Sequence, residues 1–143
     1  MENKAKPKVA MDEMMIGIDT PIVVSQITEY CLYSGFFGRL DSSRMKSVTD
    51  KILNTVEMTQ NKMIIIDLSN IEMIDSAVVS HLLQIGTTLN LIGVKAVFCG
   101  IKSIVAQTMA TLGIEFDKYI TERTLSDALK TIYKLNGYHL VRI

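Results

Sequence analysis

The sequence predicts an α/β domain, a mixed, mostly parallel sheet of about four to five strands with about four helices packed on it. Three observations carry this reading. The chain has 143 residues, enough for one domain and not two. Strand-type and helix-type patterns alternate, with short connections, after an opening pair of strands. Met63-Ile64-Ile65-Ile66 is an unbroken apolar run, the pattern of a strand covered on both faces.

Residues 1–18 lack a clear period and read as an N-terminal tail: Lys4, Lys6, Pro7 and Lys8 are solvated, and Met11, Met14 and Met15 either pack or form a flexible lead-in. The folded domain is expected over 19–137. Pro21 to Ile27 and Tyr30 to Phe36 read as two strands, with Thr28-Glu29 short enough for a hairpin; Gly35 and Gly38 end or bulge the second. Asp41-Ser42-Ser43 offers N-caps for a helix striped by Met45, Val48, Ile52, Leu53 and Val56, which Gln60-Asn61 breaks.

After the apolar strand, Asp75-Ser76 opens a second helix. Its Val78, Leu82, Ile85, Leu89 and Ile92 step by four and three, and Gly93 stops it. Val94 to Cys99 is the next strand. Ile101, Ile104, Val105, Thr108, Met109 and Leu112 mark a third helix closed by Gly113. Tyr119-Ile120 reads as a short edge strand, and a last helix runs from Leu125 to Leu135, capped by Thr124 and stopped by Gly137. Residues 138–143 form an apolar C-terminal tail, and an unpaired apolar segment tends to find a partner, so at least a homodimer is expected.

Composition narrows the function classes. Fifteen basic side chains balance fifteen acidic ones, so the basic excess of a phosphate-contacting nucleic-acid binder is missing. Charged or amide residues break every apolar run well short of membrane-spanning length. Two cysteines, Cys31 and Cys99, are too few for a disulfide framework, and no secretory signal opens the chain; a reduced, cytoplasmic protein is expected. Neither GxxxxGK[ST] nor GxGxxG occurs. The two histidines, His81 and His139, lie in unrelated elements, and no His, Cys and carboxylate set has metal-ligand spacing. No cofactor, metal or catalytic residue is therefore expected. A small α/β enzyme or ligand carrier is the reading from another class, and convergent polar groups in a deep pocket would support it.

The segment from Asp67 to Ser76 draws attention on chemical grounds. Asp67 closes the apolar run, which is expected to place it at the carboxyl edge of the sheet, where α/β proteins put function. Asp75-Ser76 opens a helix at the same edge. One reading is a plain helix cap. The other is an exposed hydroxyl open to phosphorylation, which adds a charge of about −2 while the helix dipole tolerates the phosphate. Thr108 has a similar pair of readings: a hydroxyl bonded back to the Ile104 carbonyl, or a modification site.

The run Ile64-Ile65-Ile66-Asp67-Leu68-Ser69-Asn70-Ile71-Glu72-Met73-Ile74-Asp75-Ser76 resembles the signature of STAS domains, the fold of bacterial anti-sigma-factor antagonists. Gly93-Val94-Lys95, Gly100-Ile101, Ala106-Gln107-Thr108 and Leu112-Gly113-Ile114 look like the STAS proteins of the stressosome, over about residues 20 to 136. The resemblance implies a non-enzymatic scaffold that assembles with itself and with STAS paralogues. It implies that the scaffold sequesters a serine/threonine kinase and releases it when phosphorylated at positions matching Ser76 and Thr108, and that a PP2C-type phosphatase reverses the modification. Asp67, Asp75, Ser76 and Thr108 are then the expected partner-binding positions. The short N-terminal segment is like the sensorless scaffold protein of that system, while Ala-Gln-Thr is like its sensor-bearing partner. A stand-alone anti-anti-sigma factor binding an anti-sigma kinase directly is the alternative within the same fold.

Overall fold

The structure, a computed structural model, describes residues 22–114 and 116–143. The expectations for residues 1–18, including Met11, Met14 and Met15, lie outside the described residues. Strands β1 (Ile22–Gln26) and β2 (Cys31–Arg39) open the domain; helix α1 (Ser42–Thr59), β3 (Met63–Met73), α2 (Ser76–Leu91), β4 (Lys95–Cys99), α3 (Ser103–Thr111), β5 (Ile120–Glu122) and α4 (Leu125–Leu135) follow. The five strands form one sheet in the order β1-β2-β3-β4-β5. The β1–β2 hairpin is antiparallel and the other three pairings are parallel. Each parallel step needs a crossover, and α1, α2 and α3 supply them.

Period-two alternation sorts the strand residues between two cores. Leu32, Phe36, Ile64, Ile66, Leu68 and Phe98 face the side covered by α1, α2 and α3. Cys31, Ile65, Val97 and Cys99 face α4, which offers Ala128 and Ile132. This is why the Met63–Ile66 run has no polar alternation: both of its faces are covered. Three of the four described helices begin where a side chain satisfies a free N–H group. Asp41 accepts from Arg44 N, Asp75 from Val78 N and Thr124 from Asp127 N; α3, preceded by Lys102, lacks such a side-chain cap.

Two strand boundaries differ from the sequence expectation, for one reason. β2 runs through Gly35 and Gly38 to Arg39, and β3 runs past Asp67 to Met73. The pairings Gly35 with Asp67 and Phe37 with Asn70 put three steps on β3 against two on β2, and a second shift falls between Gly38 and Arg39. The extra residues therefore sit in β3, as bulges. They turn Ile71 back to the core after Leu68 and break the simple alternation that would have announced the strand. Asp67 consequently lies in mid-strand rather than at the strand end. Smaller differences occur elsewhere. Ile92 is half exposed instead of closing the α2 stripe, and Tyr119 precedes β5, its ring set edge-on to Phe98 at 5.5 Å.

Residues 138–143 form neither helix nor strand. Tyr138 packs on Tyr133 and Tyr30 and shares a hydroxyl–hydroxyl hydrogen bond with Tyr30, while Leu140, Val141 and Ile143 are exposed.

Burial predicts a sharp contrast between two isoleucines. Ile66→Ala, in the wholly buried β3 run, is expected to cost about 2–5 kcal/mol. Ile104→Ala, on the exposed side of α3, is expected to cost less than about 0.5 kcal/mol. Urea midpoints of the two variants check this; similar losses would contradict the core as described.

Candidate functional site

The site is built on a buried carboxylate. Asp67 is 4% exposed and sits on the α4 side of β3. Its Oδ2 accepts the Tyr33 hydroxyl at 2.6 Å, and its Oδ1 accepts the Ser69 hydroxyl at 2.6 Å and the Ser69 backbone N–H at 3.0 Å. Burial alone would raise its pKa, but the hydrogen bonds from Ser69, Tyr33 and Cys99 outweigh it and hold the carboxyl below the usual carboxylate range. The same burial raises the Tyr33 hydroxyl, with the bond to Asp67 adding to it, and pushes the Cys99 thiol up to about 12, with the Asp67 charge contributing. Asp67 therefore stays ionised, and both its neighbours stay protonated as donors.

Two glycines make room for this network. A Cβ on Gly35 would stand 2.7 Å from the Tyr33 hydroxyl oxygen, so Tyr33 reaches Asp67 by lying across a residue with no side chain. Gly100 has a φ of +69°, and a Cβ there would stand 2.6 Å from the Ser69 Cβ and 3.0 Å from Asp67 Oδ1. β2 and β3 are thus bound together on this face by a single carboxylate, and Gly100 lets the end of β4 turn closely against it.

Beyond the network, the carboxyl ends of β2, β3 and β4 lead into α1, α2 and α3. The β3–α2 connection is held on both sides. Leu40 N–H donates to the Met73 carbonyl at 3.3 Å, and Lys102 Nζ donates to the Ile71 carbonyl at 3.3 Å. Asp75 spends its side chain on Val78 N–H at 2.8 Å, leaving Ser76 as the first residue of α2, exposed and without a side-chain hydrogen bond in the β3–α2 turn. The cap and the free hydroxyl are thus adjacent residues with separate tasks.

Thr108 lies five residues into α3, half-buried, and its hydroxyl donates to the Ile104 carbonyl at 3.0 Å. That is the back-bonded geometry. The structure therefore brings Asp75 and Ser76 together at the rim, sets Thr108 down the neighbouring helix, and places Asp67 in the interior beneath. With 4% exposure Asp67 supports the rim rather than offering a surface to a partner.

Sequence reasoning missed three apolar side chains at the same edge: Phe37 at the end of β2, Met73 at the end of β3 and Ile104 at the start of α3 are 40%, 58% and 66% exposed. Phe37 and Met73 were hidden because their strands were read as too short. Ile104 was counted in the buried stripe of α3. Exposed apolar groups at the edge that also carries a free hydroxyl suit a surface that docks and undocks. Among the described residues no helix is long and apolar enough to cross a membrane.

Comparison with known proteins agrees with this fold. A family model, described as the STAS domain, matches residues 23–128. RsbT co-antagonist protein RsbRA of Bacillus subtilis (strain 168) is 26% identical over 136 residues, which cover 95% of this chain and 47% of that protein. The chain thus spans about half the length of the curated relative it matches. Among solved structures, RsbS of Moorella thermoacetica superposes with a TM-score of 0.71 at 23% identity, over 82% of this chain and 98% of that one. A chain from a structure described as the molecular architecture of the stressosome, a signal integration and transduction hub, superposes with a TM-score of 0.66 at 22% identity, over 81% of this chain and 100% of that one.

The Asp67 network predicts a pH-dependent cost for removing one donor. A carboxyl held below its unfolded pKa contributes stability that is complete above about pH 4 and is lost as the pH falls through the folded value. Tyr33→Phe should therefore destabilise by about 1–3 kcal/mol near pH 7, and the gap to wild type should narrow as the pH drops below about 4. Urea midpoints measured from pH 7 to pH 2.5 test this. A gap that stays constant across that range would remove Asp67 ionisation from the account.

Proposed function

The chain belongs to the STAS domain family, and from that premise we propose that it is a phosphorylation-controlled, non-enzymatic scaffold of a stressosome-type assembly. In its unmodified form it holds a serine/threonine kinase. Phosphorylation of Ser76 releases the kinase to act downstream, and a PP2C-type phosphatase resets the surface. Self-association and association with STAS paralogues supply the assembly. The likeness to a protein named as a co-antagonist of RsbT, and to a chain of a stressosome structure, supports this setting.

The observation that carries the reading is the division of labour between Asp75 and Ser76. A phosphate on Ser76 breaks no side-chain hydrogen bond at the helix start, because the cap is made by Asp75. The N–H groups of the first turn and the positive end of the helix dipole favour the anion. The fold is kept, while the docking surface acquires a charge of about −2 beside the Asp75 carboxylate and next to exposed apolar groups. A partner that covers Phe37, Met73 and Ile104 must then desolvate a dianion or leave. Thr108 is a costlier site. Its phosphorylation gives up the bond to the Ile104 carbonyl and inserts a charge in mid-helix, which suits a second modification that tunes the response.

Kinase retention by immobilised protein, with and without ATP, tests this. Wild type should hold the kinase without ATP and release it with ATP. Ser76→Ala should hold it under both conditions. Ser76→Asp should bind at least about tenfold more weakly, a loss of about 1.4 kcal/mol. Equal retention by all three proteins under both conditions would return Ser76 to the role of a first helical residue and nothing more.

A further inference from the structure

β5 is an edge strand of the sheet, three residues long and paired only with β4. Beside it, on the α3 side of the sheet, runs an apolar groove of about 420 Å³. Ile101, Ala106, Met109, Ala110 and Ile114 line it, and Thr121, Glu122 and Arg123 bring the strand edge to its rim. An open strand edge next to an apolar groove takes an extended segment well, because main-chain hydrogen bonds complete the ladder and alternate side chains fill the groove.

We infer that this edge is filled by residues 139–143 of a second copy of the chain. Leu140, Val141 and Ile143 are exposed apolar residues in a segment that is neither helix nor strand and has no ladder of its own. Alternation gives such a segment two faces that match those of β5. A parallel addition in register sets Leu140 beside Ile120 and Arg142 beside Glu122 on the α4 side, and turns Val141 and Ile143 into the groove on the α3 side. Ile120 belongs to the α4-side core, and Glu122 on that same side accepts the Thr131 hydroxyl through Oε1, leaving Oε2 for Arg142. Apolar thus meets apolar, and cation meets anion.

The chain's own tail does not reach this edge. Tyr138 is held by Tyr30 and Tyr133 at the start of β2, while the groove opens at the far end of β5. The two places are separated by about 16 Å along α4 and by about 14 Å across three strand spacings. Five extended residues span at most about 17 Å. The groove also stands clear of the proposed switch. At about 100° per residue, Ala106 and Ala110 lie on the opposite side of α3 from Thr108. The pairing rests on the edge and the tail alone, so its failure leaves the kinase switch standing.

Sedimentation velocity of the full chain tests the pairing. Wild type is expected to self-associate between tens and hundreds of micromolar. Ala110→Arg, which blocks the groove from an exposed helix position, and Val141→Asp, which spoils the tail, should each weaken this at least about tenfold. An equimolar mixture of the two variants should regain association, since one still has a sound tail and the other a sound groove. That recovery also shows that neither variant is misfolded. Glu122→Arg and Arg142→Glu should each weaken association and, combined, restore it. A wild type that stays monomeric through hundreds of micromolar, single variants that associate as wild type does, or a mixture that does not recover would each overturn the pairing.

Discussion

A single buried charge organises the carboxyl edge of this sheet. Removing a carboxylate from water costs several kcal/mol unless hydrogen bonds replace the lost solvation. Asp67 receives those bonds from β2 through Tyr33 and from its own strand through Ser69, with Cys99 of β4 beside it in register. The geometry that supplies them constrains its surroundings. Gly35 must lack a side chain so that Tyr33 can lie over it, and Gly100 must turn through a left-handed conformation so that β4 can leave the sheet against Ser69. The strand ends that launch α2 and α3 are therefore fixed from below, by polar bonds on one face and by Ile66, Leu68 and Phe98 on the other.

A rigid base changes what a modification at the rim does. Ser76 stands at the start of a helix whose cap, core stripe and preceding loop are all held by other residues. Added charge there has little fold to disturb, and its effect falls on whatever lies above. Thr108 differs in kind, because its hydroxyl is already engaged with the helix backbone. Two hydroxyls that the family resemblance treats alike thus have unequal structural costs. On the proposed reading, the inequality favours modification of the free hydroxyl over the engaged one.

Much of the fold was legible because its signals are local. Asp41, Asp75 and Thr124 all cap the helices they were expected to open, and the helical stripes of α1 and α2 are buried nearly as the spacing required. The length of β3 was not legible. Its bulges shift the side-chain alternation between Leu68 and Ile71, so the strand was read as ending at Asp67 although residues up to Met73 extend the ladder. The same misreading carried Asp67 to the strand end and hid Met73. The partners of Asp67 were also out of reach, since Tyr33 and Cys99 lie 34 and 32 positions away and meet it only through the parallel pairing. The Asp75 cap and the hydroxyl that follows it were legible because a cap followed by a hydroxyl is a local pattern. Phe37 and Ile104 were missed because exposure at a sheet edge depends on where neighbouring elements stop.

On the proposed reading, phosphorylation of Ser76 alters a surface and not a fold. Amide hydrogen exchange of the chain before and after that modification tests it most directly. Protection through β3, β4 and the body of α2 should stay the same, with changes confined to the turn around Asp75 and the first N–H groups of α2. Loss of protection along α2 or β3 on phosphorylation would mean that the switch works by unfolding, and would contradict the account.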